Sequence, residues 1–468
     1  MIKILPHESI DVLSKYIDIL KEVDVVKYIG KVERVVGLTI ESNGPPVQYG
    51  DLCLIRIENK KSLSAEVVGF HRNRVILMPV GDMKGVVAGA EVIPVGSSLM
   101  VQVGDELLGR VLSGTGEPLD GKGMISSKKK YPVITQPVNP LERRIIDKPL
   151  PVGIRAIDAF LTAGKGQRMG IFSGSGVGKS LLLGMIARNT EADVNVIALI
   201  GERGREVRNF IEKELGTEGL KKSVVVVATS DQPPMVRLRG AFVAHAIAEY
   251  FRDEGLDVNL LMDSVTRFAM AQREIGLAIG EPSATRGYPP SVFSLLPRLL
   301  ERSGSRVDGG SITGFYSILV DSDDMNEPIS DAVRGILDGH IVLERKLANK
   351  GHYPAIDILA SLSRCMRDVV STEHFNAANQ FRGYLSAYIE AEDLISLGGY
   401  AKGSDPIVDK ALEMIDGMNL FLRQGINEID TFENTVKGLI SLFNNEERLG
   451  GETRGNIVME SMSRMRTR

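Results

Sequence analysis

The spacing of apolar positions changes along the chain, and each change predicts a different kind of structure. Residues 10–23 place Ile10, Leu13, Ile17 and Leu20 at helical spacing between charged side chains, which predicts a short amphipathic helix. From about Val25 to Val95, short apolar runs such as 35–40 and 74–78 are separated by Gly, Pro, Asn and Asp. This pattern predicts a small β-barrel.

The middle of the chain has the pattern of an α/β domain. Between Met169 and about Val320, five buried apolar runs alternate with helical stretches: 169–172, 194–200, 224–228, 258–262 and 312–320. Continuous runs joined by helices indicate a parallel sheet that is covered on both faces. The Gly- and Pro-rich residues 96–150 are interpreted as connecting structure, and helical patterning takes over after about Ser371. The predicted organisation is a helix over 1–24, a barrel over 25–95, an α/β core over 96–375 and a helical domain over 376–468.

Composition narrows the class of protein. The 468 residues include 43% hydrophobic and 25% charged residues, which is typical of a globular protein, and the net charge of −4 gives no general reason to favour nucleic acid or anionic lipid. The first residues lack a long apolar stretch, and no uncharged run reaches the roughly 18 residues of a membrane-spanning helix. Cys53 and Cys365 are the only cysteines, so we expect neither a disulfide framework nor a zinc cluster, and we expect a reducing cytoplasm.

The strongest chemical signal is a P-loop at the end of the first buried run. Its sequence is SGSGVGKS at 173–180, followed by an apolar helical stretch. Glycines let backbone N–H groups turn toward phosphate oxygens, and the following helix presents its positive end. The predicted phosphate-binding residues are Gly174, Ser175, Gly176, Val177, Gly178, Lys179 and Ser180, with the Ser180 hydroxyl also on Mg²⁺. The loop departs from the usual pattern at Ser173, where glycine is the norm.

Two further strand ends carry carboxylates. Asp263 follows the run 258–262, as expected of a Walker-B residue that coordinates Mg²⁺. Glu202 lies directly after the run 194–200 and is the candidate general base, although a carboxylate at a helix N-terminus is also ordinary. Because parallel strands bring their carboxyl ends to one edge of a sheet, we expect Lys179, Glu202 and Asp263 to converge there.

Together these motifs resemble those of the flagellar and type III secretion export ATPases, relatives of the catalytic subunit of rotary ATP synthases. The resemblance runs from about residue 25 nearly to the end. It is carried by the P-loop and by PVGIRAID at 151–158, GERGRE at 201–206, DQPP at 231–234, DSVTRF at 263–268, EPSATRGY at 281–288 and ILDGH at 336–340. It implies a RecA-like P-loop core and Mg-dependent ATP hydrolysis.

The resemblance also implies roles for individual residues. It places Arg203 and Arg267 near the γ-phosphate, and matches Tyr353 to the tyrosine that stacks on adenine. Phe421 resembles a second wall of the base pocket. Arg364 in SLSR at 361–364 resembles the arginine finger that reaches a neighbouring subunit's site, a residue whose contribution is typically about 10³–10⁵ in rate.

The same resemblance implies partners and a location. The family forms homohexamers on the cytoplasmic face of the membrane, and it works with an export gate, a stalk protein and chaperone–substrate complexes. The helix at 10–23 either packs on its own domain or docks on a stator-like regulator.

Several alternatives to flagellar export are considered. LGGYAKGSDP at 397–406 favours export over a rotary ATP synthase catalytic subunit and leans toward the flagellar branch. A virulence secretion ATPase shares every quoted motif. A ring-shaped RNA translocase is disfavoured because no basic and aromatic single-strand surface is evident, so no nucleic acid partner is expected. A purely structural nucleotide-binding subunit would lack Glu202.

Overall fold

The computed structural model describes residues 28–57, 61–96, 99–320 and 324–444. The chain forms two compact units, Met1–Leu99 with Ala278–Gly280, and Met100–Leu277 with Glu281–Arg468. The predicted helix at 10–23 lies outside the described residues.

The first unit contains the predicted barrel. Six strands close it: β1 (Gly30–Val36), β2 (Thr39–Asn43), β3 (Leu52–Arg56), β4 (Ser62–His71), β5 (Arg74–Pro79) and β6 (Glu91–Pro94). Its interior is filled by inward-facing residues such as Ile40, Val67 and Leu77, none of which is exposed. The apolar run at 35–40 is a hairpin and not one strand, because Gly37 adopts a φ of 58° between β1 and β2.

The second unit is built on a nine-stranded sheet, and the five predicted buried runs are all strands of it. Its strands and a separate two-stranded ribbon are β7 (Met100–Gln102), β8 (Val111–Ser113), β9 (Lys130–Pro132), β10 (Arg168–Ser173), β11 (Val194–Ile200), β12 (Ser223–Ala228), β13 (Asp257–Asp263), β14 (Gly304–Ser305), β15 (Ser311–Leu319), β16 (Gly339–Leu343) and β17 (Ile356–Ser363). The main sheet runs in the order β17-β16-β10-β15-β13-β11-β12-β8, with β14 beside β15, while β7 pairs with β9. All of its neighbouring pairs are parallel except β16 with β17 and β14 with β15.

Residues 96–150, interpreted from the sequence as connecting structure, contain a strand of the main sheet. Residues 96–150 are not only connecting structure, because β8 adds to the sheet beside β12 through Val111 and Leu112. The run is only three residues long, which is why it carries no strand signal of its own.

Helices connect the strands and form the carboxy-terminal part. They are α1 (Arg155–Phe160), α2 (Lys179–Asn189), α3 (Gly204–Asn209), α4 (Gly216–Lys221), α5 (Pro234–Asp253), α6 (Val265–Ala278), α7 (Pro290–Leu300), α8 (Pro328–Ile336), α9 (Arg345–Asn349), α10 (Met366–Val369), α11 (Thr372–Ser396), α12 (Pro406–Leu422) and α13 (Phe432–Asn444), with a π-helix at Phe210–Leu215. In the described ranges, no helix is both long and apolar enough to cross a bilayer.

The last three helices are tied to the core by both packing and hydrogen bonds. The ring of Phe160 in α1 lies 4.6 Å from that of Phe381 in α11 and 6.1 Å from that of Phe421 in α12. The Arg155 side chain donates from Nε to the carbonyl of Phe421 at 2.9 Å. The predicted fold class, a barrel followed by a parallel-sheet core and a helical carboxy-terminal domain, is therefore confirmed.

Candidate active site

The P-loop joins the end of β10 to the start of α2. Gly176 and Gly178 have φ values of 80° and 96°, which a residue with a side chain rarely adopts. The first turn of α2 contains no acidic residue, and no side chain caps its N–H groups. Such a helix start favours binding of an anion such as a phosphate.

Three charged side chains from distant parts of the sequence converge beside this loop. Nζ of Lys179 lies 2.5 Å from Oδ1 of Asp263 and 3.7 Å from Oε1 of Glu202. The three side chains are 12%, 6% and 15% exposed. The convergence follows from topology, because β10, β11 and β13 are parallel and each of the three residues lies at or just beyond a carboxyl end.

Asp263 and Glu202 differ in their surroundings. Oδ1 of Asp263 accepts a hydrogen bond from Ser317 Oγ on β15 at 2.6 Å, in addition to the bond from Lys179. Burial, and then the negative charge of Asp263, raise the pKa of Glu202 to about 7, although Lys179 opposes the shift. A carboxylate with a pKa near neutrality is suited to general base chemistry.

The surroundings of these groups fit a nucleotide with a divalent cation. Ser180, Glu202 and Asp263 line one small hollow, where a hydroxyl and a carboxylate supply the oxygen ligands that Mg²⁺ prefers. Nε of Arg267 is buried without a hydrogen-bond partner among the described residues. Nη1 of the same half-buried side chain contacts Sδ of Met270 at 3.7 Å, so Nε is the group left for another ligand, and a phosphate bound beside the loop would account for it.

The two arginines predicted near the γ-phosphate are placed differently. Arg267 packs against Gly201, just after β11, because a Cβ added at Gly201 would lie 2.7 Å from the Cβ of Arg267. Burial lowers the pKa of Lys179, but the charges of Asp263 and then Glu202 outweigh burial and raise it overall; the charge of Arg267 opposes that rise. Arg203 is 76% exposed and pairs with Glu206 at 3.3 Å. Arg267 is therefore part of the charged cluster, whereas Arg203 lies at its solvent-exposed rim.

An apolar cavity of 350 Å³ lies on the other side of the P-loop. Its lining includes Val177 and Gly178 of the loop, Leu181 of α2, and Tyr353. The Tyr353 ring packs on the loop, because a Cβ added at Gly178 would lie 3.6 Å from its Cε1. A flat, apolar hollow with an aromatic wall next to a phosphate-binding loop suits a purine base.

The structure corrects the position of the second wall of this cavity. Phe421 packs on Phe160 and Phe381 in the interior between α1, α11 and α12, and it does not line the cavity. The following residues Gln424, Gly425 and Ile426 line it instead. The reason is that α12 ends at Leu422, so the chain turns toward the cavity only after Phe421 has faced inward.

Gln424 is a site residue that the sequence did not reveal. Its backbone N–H donates to the carbonyl of Tyr353 at 2.9 Å, and its side-chain amide bonds to Gly153 and to the backbone of Arg155. These contacts fix the two walls of the cavity to each other. No local pattern announces them, because the partners lie far apart along the chain.

Arg364 lies far from the charged cluster of its own chain. It follows the last residue of β17, and its side chain is exposed. Ser363 pairs with Gly339 of β16, which pairs with Met169 near the start of β10, whereas the P-loop follows the end of β10. At about 3.3 Å a residue, the strand alone separates the two by roughly 13 Å.

Comparisons with known proteins agree with this geometry. Family models match residues 153–363 (ATP synthase alpha/beta family, nucleotide-binding domain), 32–96 (the beta-barrel domain of that family) and 370–441 (T3SS EscN ATPase C-terminal domain). The last match covers the helices that supply Gln424 to the cavity.

Curated relatives match over nearly the whole chain. The flagellum-specific ATP synthase of Bacillus subtilis is 56% identical over 92% of this chain and 99% of its own length. A type 3 secretion system ATPase of Xanthomonas euvesicatoria is 52% identical over 88% of this chain and 93% of its own length. The assembled ATPase EscN of the enteropathogenic E. coli type III secretion system superposes with a TM-score of 0.84 at 45% identity, covering 88% of this chain and 99% of EscN. EscN has also been solved in complex with its central stalk EscO.

Proposed function

This chain belongs to the ATP synthase alpha/beta family, among its type III secretion ATPases, and on that premise we propose that it hydrolyses Mg-ATP to drive protein export through a flagellar apparatus. The observation that carries the catalytic part is the convergence of Lys179, Glu202 and Asp263 beside the P-loop.

Each of these groups has a proposed task. Lys179 binds the β- and γ-phosphates, whose oxygens take the place of the Glu202 and Asp263 carboxylates as its partners. Ser180 and Asp263 would hold Mg²⁺, which neutralises charge on the triphosphate. Glu202 orients the attacking water and accepts its proton, a role that its raised pKa favours.

The remaining residues complete the nucleotide site. Tyr353 stacks on adenine within the apolar cavity, and Arg267 contributes positive charge toward the γ-phosphate. Arg203 lies at the rim, where it is free to turn inward only by giving up its exposed pair with Glu206. An exposed pair of this kind contributes at most about 1 kcal/mol, so the reorientation is inexpensive.

Arg364 is proposed to act on a neighbouring copy. It lies at the opposite edge of the sheet from Lys179, so it cannot serve its own phosphate site. Copies arranged in a ring would place this edge of one subunit against the P-loop edge of the next. A homohexamer is the form that the family resemblance implies, and EscN is likewise solved as an assembled ATPase.

The partners proposed for this ring follow from the family. They are a stalk protein, as EscN has in EscO, together with an export gate, chaperone–substrate complexes and a stator-like regulator, at the cytoplasmic face of the membrane. The flagellar assignment is supported by the flagellum-specific ATP synthase of Bacillus subtilis, the relative with 56% identity. The Xanthomonas relative at 52% makes virulence secretion the alternative.

A genetic experiment separates the two. Deletion of the gene in the organism that encodes this chain should abolish extracellular flagellar filaments, and the intact gene should restore them. A Lys179→Ala gene should not restore filaments, although the protein accumulates normally. Intact filaments together with loss of secreted effector proteins would overturn the flagellar assignment in favour of virulence secretion.

A further inference from the structure

A buried polar cluster holds the backbone on which Arg364 is mounted. Oγ of Ser363, the residue before it, donates to the carbonyl of Thr162 at 2.9 Å. The backbone N–H of Arg364 itself donates to the carbonyl of Asp338 at 3.0 Å. Two adjacent points, the Ser363 side chain and the Arg364 N–H, are thus fixed by hydrogen bonds to other segments of the chain.

Gln167 links these two attachment points. Its Nε2 donates to Ser363 Oγ at 3.0 Å and to the carbonyl of Asp338 at 3.2 Å, while its Oε1 accepts from the N–H of Gly164 at 2.8 Å. An amide group has two hydrogens on its nitrogen, so one hydrogen is available for the Ser363 hydroxyl and one for the Asp338 carbonyl. The Gln167 side chain is completely buried. We call Gln167 and Ser363, with the carbonyls of Thr162 and Asp338, the Arg364 anchor.

The anchor does more than fill space. An apolar side chain at position 167 would fill the same space without the cost of burying an amide. A polar network whose hydrogen bonds are all made instead specifies one arrangement of the segments that it joins. The Arg364 guanidinium, in contrast, makes no hydrogen bond or ion pair within the described part of the chain that would hold it. The orientation of this exposed side chain therefore depends on its backbone.

Asp338 is held in turn from the sheet. Arg168, the first residue of β10, donates to its carboxylate from Nε at 2.9 Å and from Nη2 at 3.0 Å. A bidentate pair of this kind fixes orientation as well as distance. The carbonyl that receives the Arg364 N–H therefore belongs to a residue fixed on both its side chain and its backbone.

We propose that Gln167 and Ser363 are positioning residues that hold Arg364 where a neighbouring subunit's nucleotide site needs it. This inference rests on the proposed function of Arg364 as a finger acting on the next subunit. The anchor's residues touch no substrate, and their effect on hydrolysis passes through the backbone of Arg364.

Loss of the anchor should reduce turnover without affecting nucleotide binding. A Ser363→Ala change removes the hydroxyl that joins Thr162 to Gln167, and a displacement of about 1 Å at a catalytic group can cost roughly 10²-fold in rate. We expect kcat to fall by about 10- to 100-fold at a protein concentration that gives full assembly, with KM for ATP within about twofold of the wild type. Gln167→Met, which keeps the size and removes the hydrogen bonds, should have the same effect.

Ser361→Ala is the matched control. Ser361 is buried on the same face of β17, 5% exposed against 8% for Ser363, and its hydroxyl also bonds to the backbone, at Val342 N and Asp357 O. Neither of these bonds involves a residue of the Arg364 anchor. We expect its kcat to stay within about twofold of the wild type.

Mixed rings test whether the effect acts between subunits. A Glu202→Gln subunit lacks its own base but carries an intact Arg364 and anchor. Mixed with Ser363→Ala subunits, it should restore activity above that of either protein alone. In such a ring, Arg364 of a Glu202→Gln subunit is correctly held and reaches the site of a Ser363→Ala neighbour, whose own Glu202 is intact. A mixture of Ser363→Ala with Arg364→Ala should gain nothing, because every subunit then offers a defective finger.

The outcomes distinguish failure of this inference from failure of the proposed function. If Arg364→Ala mixed with Glu202→Gln shows no gain, Arg364 does not act between subunits and the proposed function of that residue is wrong. If that mixture gains but the Ser363→Ala and Gln167→Met mixtures with Glu202→Gln do not, the positioning role is refuted. Unchanged kcat in Ser363→Ala, or a gain in its mixture with Arg364→Ala, refutes it as well.

Discussion

Replacing Glu202 by Gln should separate nucleotide binding from hydrolysis. The amide keeps the size of the carboxylate but cannot accept a proton from water, so we expect kcat to fall by about 10²–10⁴-fold, the usual contribution of a general base. Binding should survive, because the groups proposed to hold the phosphates and Mg²⁺, which are Lys179, Ser180 and Asp263, are all unchanged.

The same change should alter stability in a pH-dependent way. Burial and the neighbouring Asp263 raise the pKa of Glu202 to about 7 in the folded protein, against roughly 4.3 in an unfolded chain. The stability that Glu202 contributes is therefore fully present below the unfolded value and is lost as the pH rises through about 7. The Gln side chain does not ionise, so the variant loses no folding stability over this pH range. Its melting temperature should therefore exceed that of the wild type at pH 8. The advantage should vanish near pH 4.5, and at pH 8 it corresponds to at most about 4 kcal/mol.

Three measurements decide the matter. Phosphate release gives kcat, calorimetric titration with a non-hydrolysable ATP analogue gives affinity, and thermal melting from pH 5 to 8 gives stability. Glu212→Gln is the control, because Glu212 pairs with the exposed Arg208 at 2.8 Å and lines neither the hollow nor the apolar cavity. Hydrolysis by Glu202→Gln within a few-fold of the wild type would remove Glu202 from the base role, and loss of analogue binding would make it a structural residue.

Three further perturbations test the base cavity, the metal site and a buried histidine. Tyr353→Ala should raise KM for ATP about tenfold, since stacking of a base on an aromatic ring contributes about 1–3 kcal/mol, whereas Tyr353→Phe should stay near the wild type. Chelation of divalent cations should stop hydrolysis, and Asp263→Asn should raise the Mg²⁺ concentration that gives half-maximal rate; an unchanged Mg²⁺ titration would exclude Asp263 as a ligand. Burial, and then the charge of Arg302, lower the pKa of His245 to about 3 in the folded protein. The folding stability that neutral His245 contributes is therefore present above about pH 6.5 and should fall as the pH drops toward 3. His245→Gln should flatten the dependence of the melting temperature on pH over that range.

The sequence predicts the sheet well because buried parallel strands leave a strong signal. Each of the five predicted runs, including 194–200 and 258–262, lies in a strand that is covered on both faces, so apolar residues dominate it. The polar exceptions in these two runs, Asn195 and Asn259, are buried and hydrogen-bond to each other. The signal fails for β8, which is three residues long, and for the run at 35–40. In the second case, hydrophobicity continues across a turn that Gly37 alone marks.

The site is predictable where chemistry and topology coincide. Lys179, Glu202 and Asp263 each lie at a strand's carboxyl end, and parallel pairing brings such ends together without further information. Phe421 and Gln424 show the limit, because which of them lines the apolar cavity depends on where α12 ends and the chain turns. The anchor is harder still: Gln167 bonds to residues 171 and 196 positions away, and no local pattern encodes such contacts.

The proposed role of Arg364, together with the two ends of the strands in one sheet, dictates how copies would associate. The P-loop follows the carboxyl ends of the parallel strands, while Arg364 lies at their amino ends, so one copy offers a nucleotide at one edge and a finger at the other. Two copies related by a twofold axis would bring the same edge of each copy together. Nucleotide edge would then face nucleotide edge, or finger edge would face finger edge, and Arg364 of one copy would not reach the nucleotide site of the other. Completing every site requires the finger edge of one copy to meet the nucleotide edge of the next, which is a head-to-tail contact. Head-to-tail contacts either close into a ring or continue as a filament, and only closure leaves no site without its arginine. A finger held rigidly by Gln167 and Ser363 favours closure, because a fixed arginine tolerates only a narrow range of angles between neighbours.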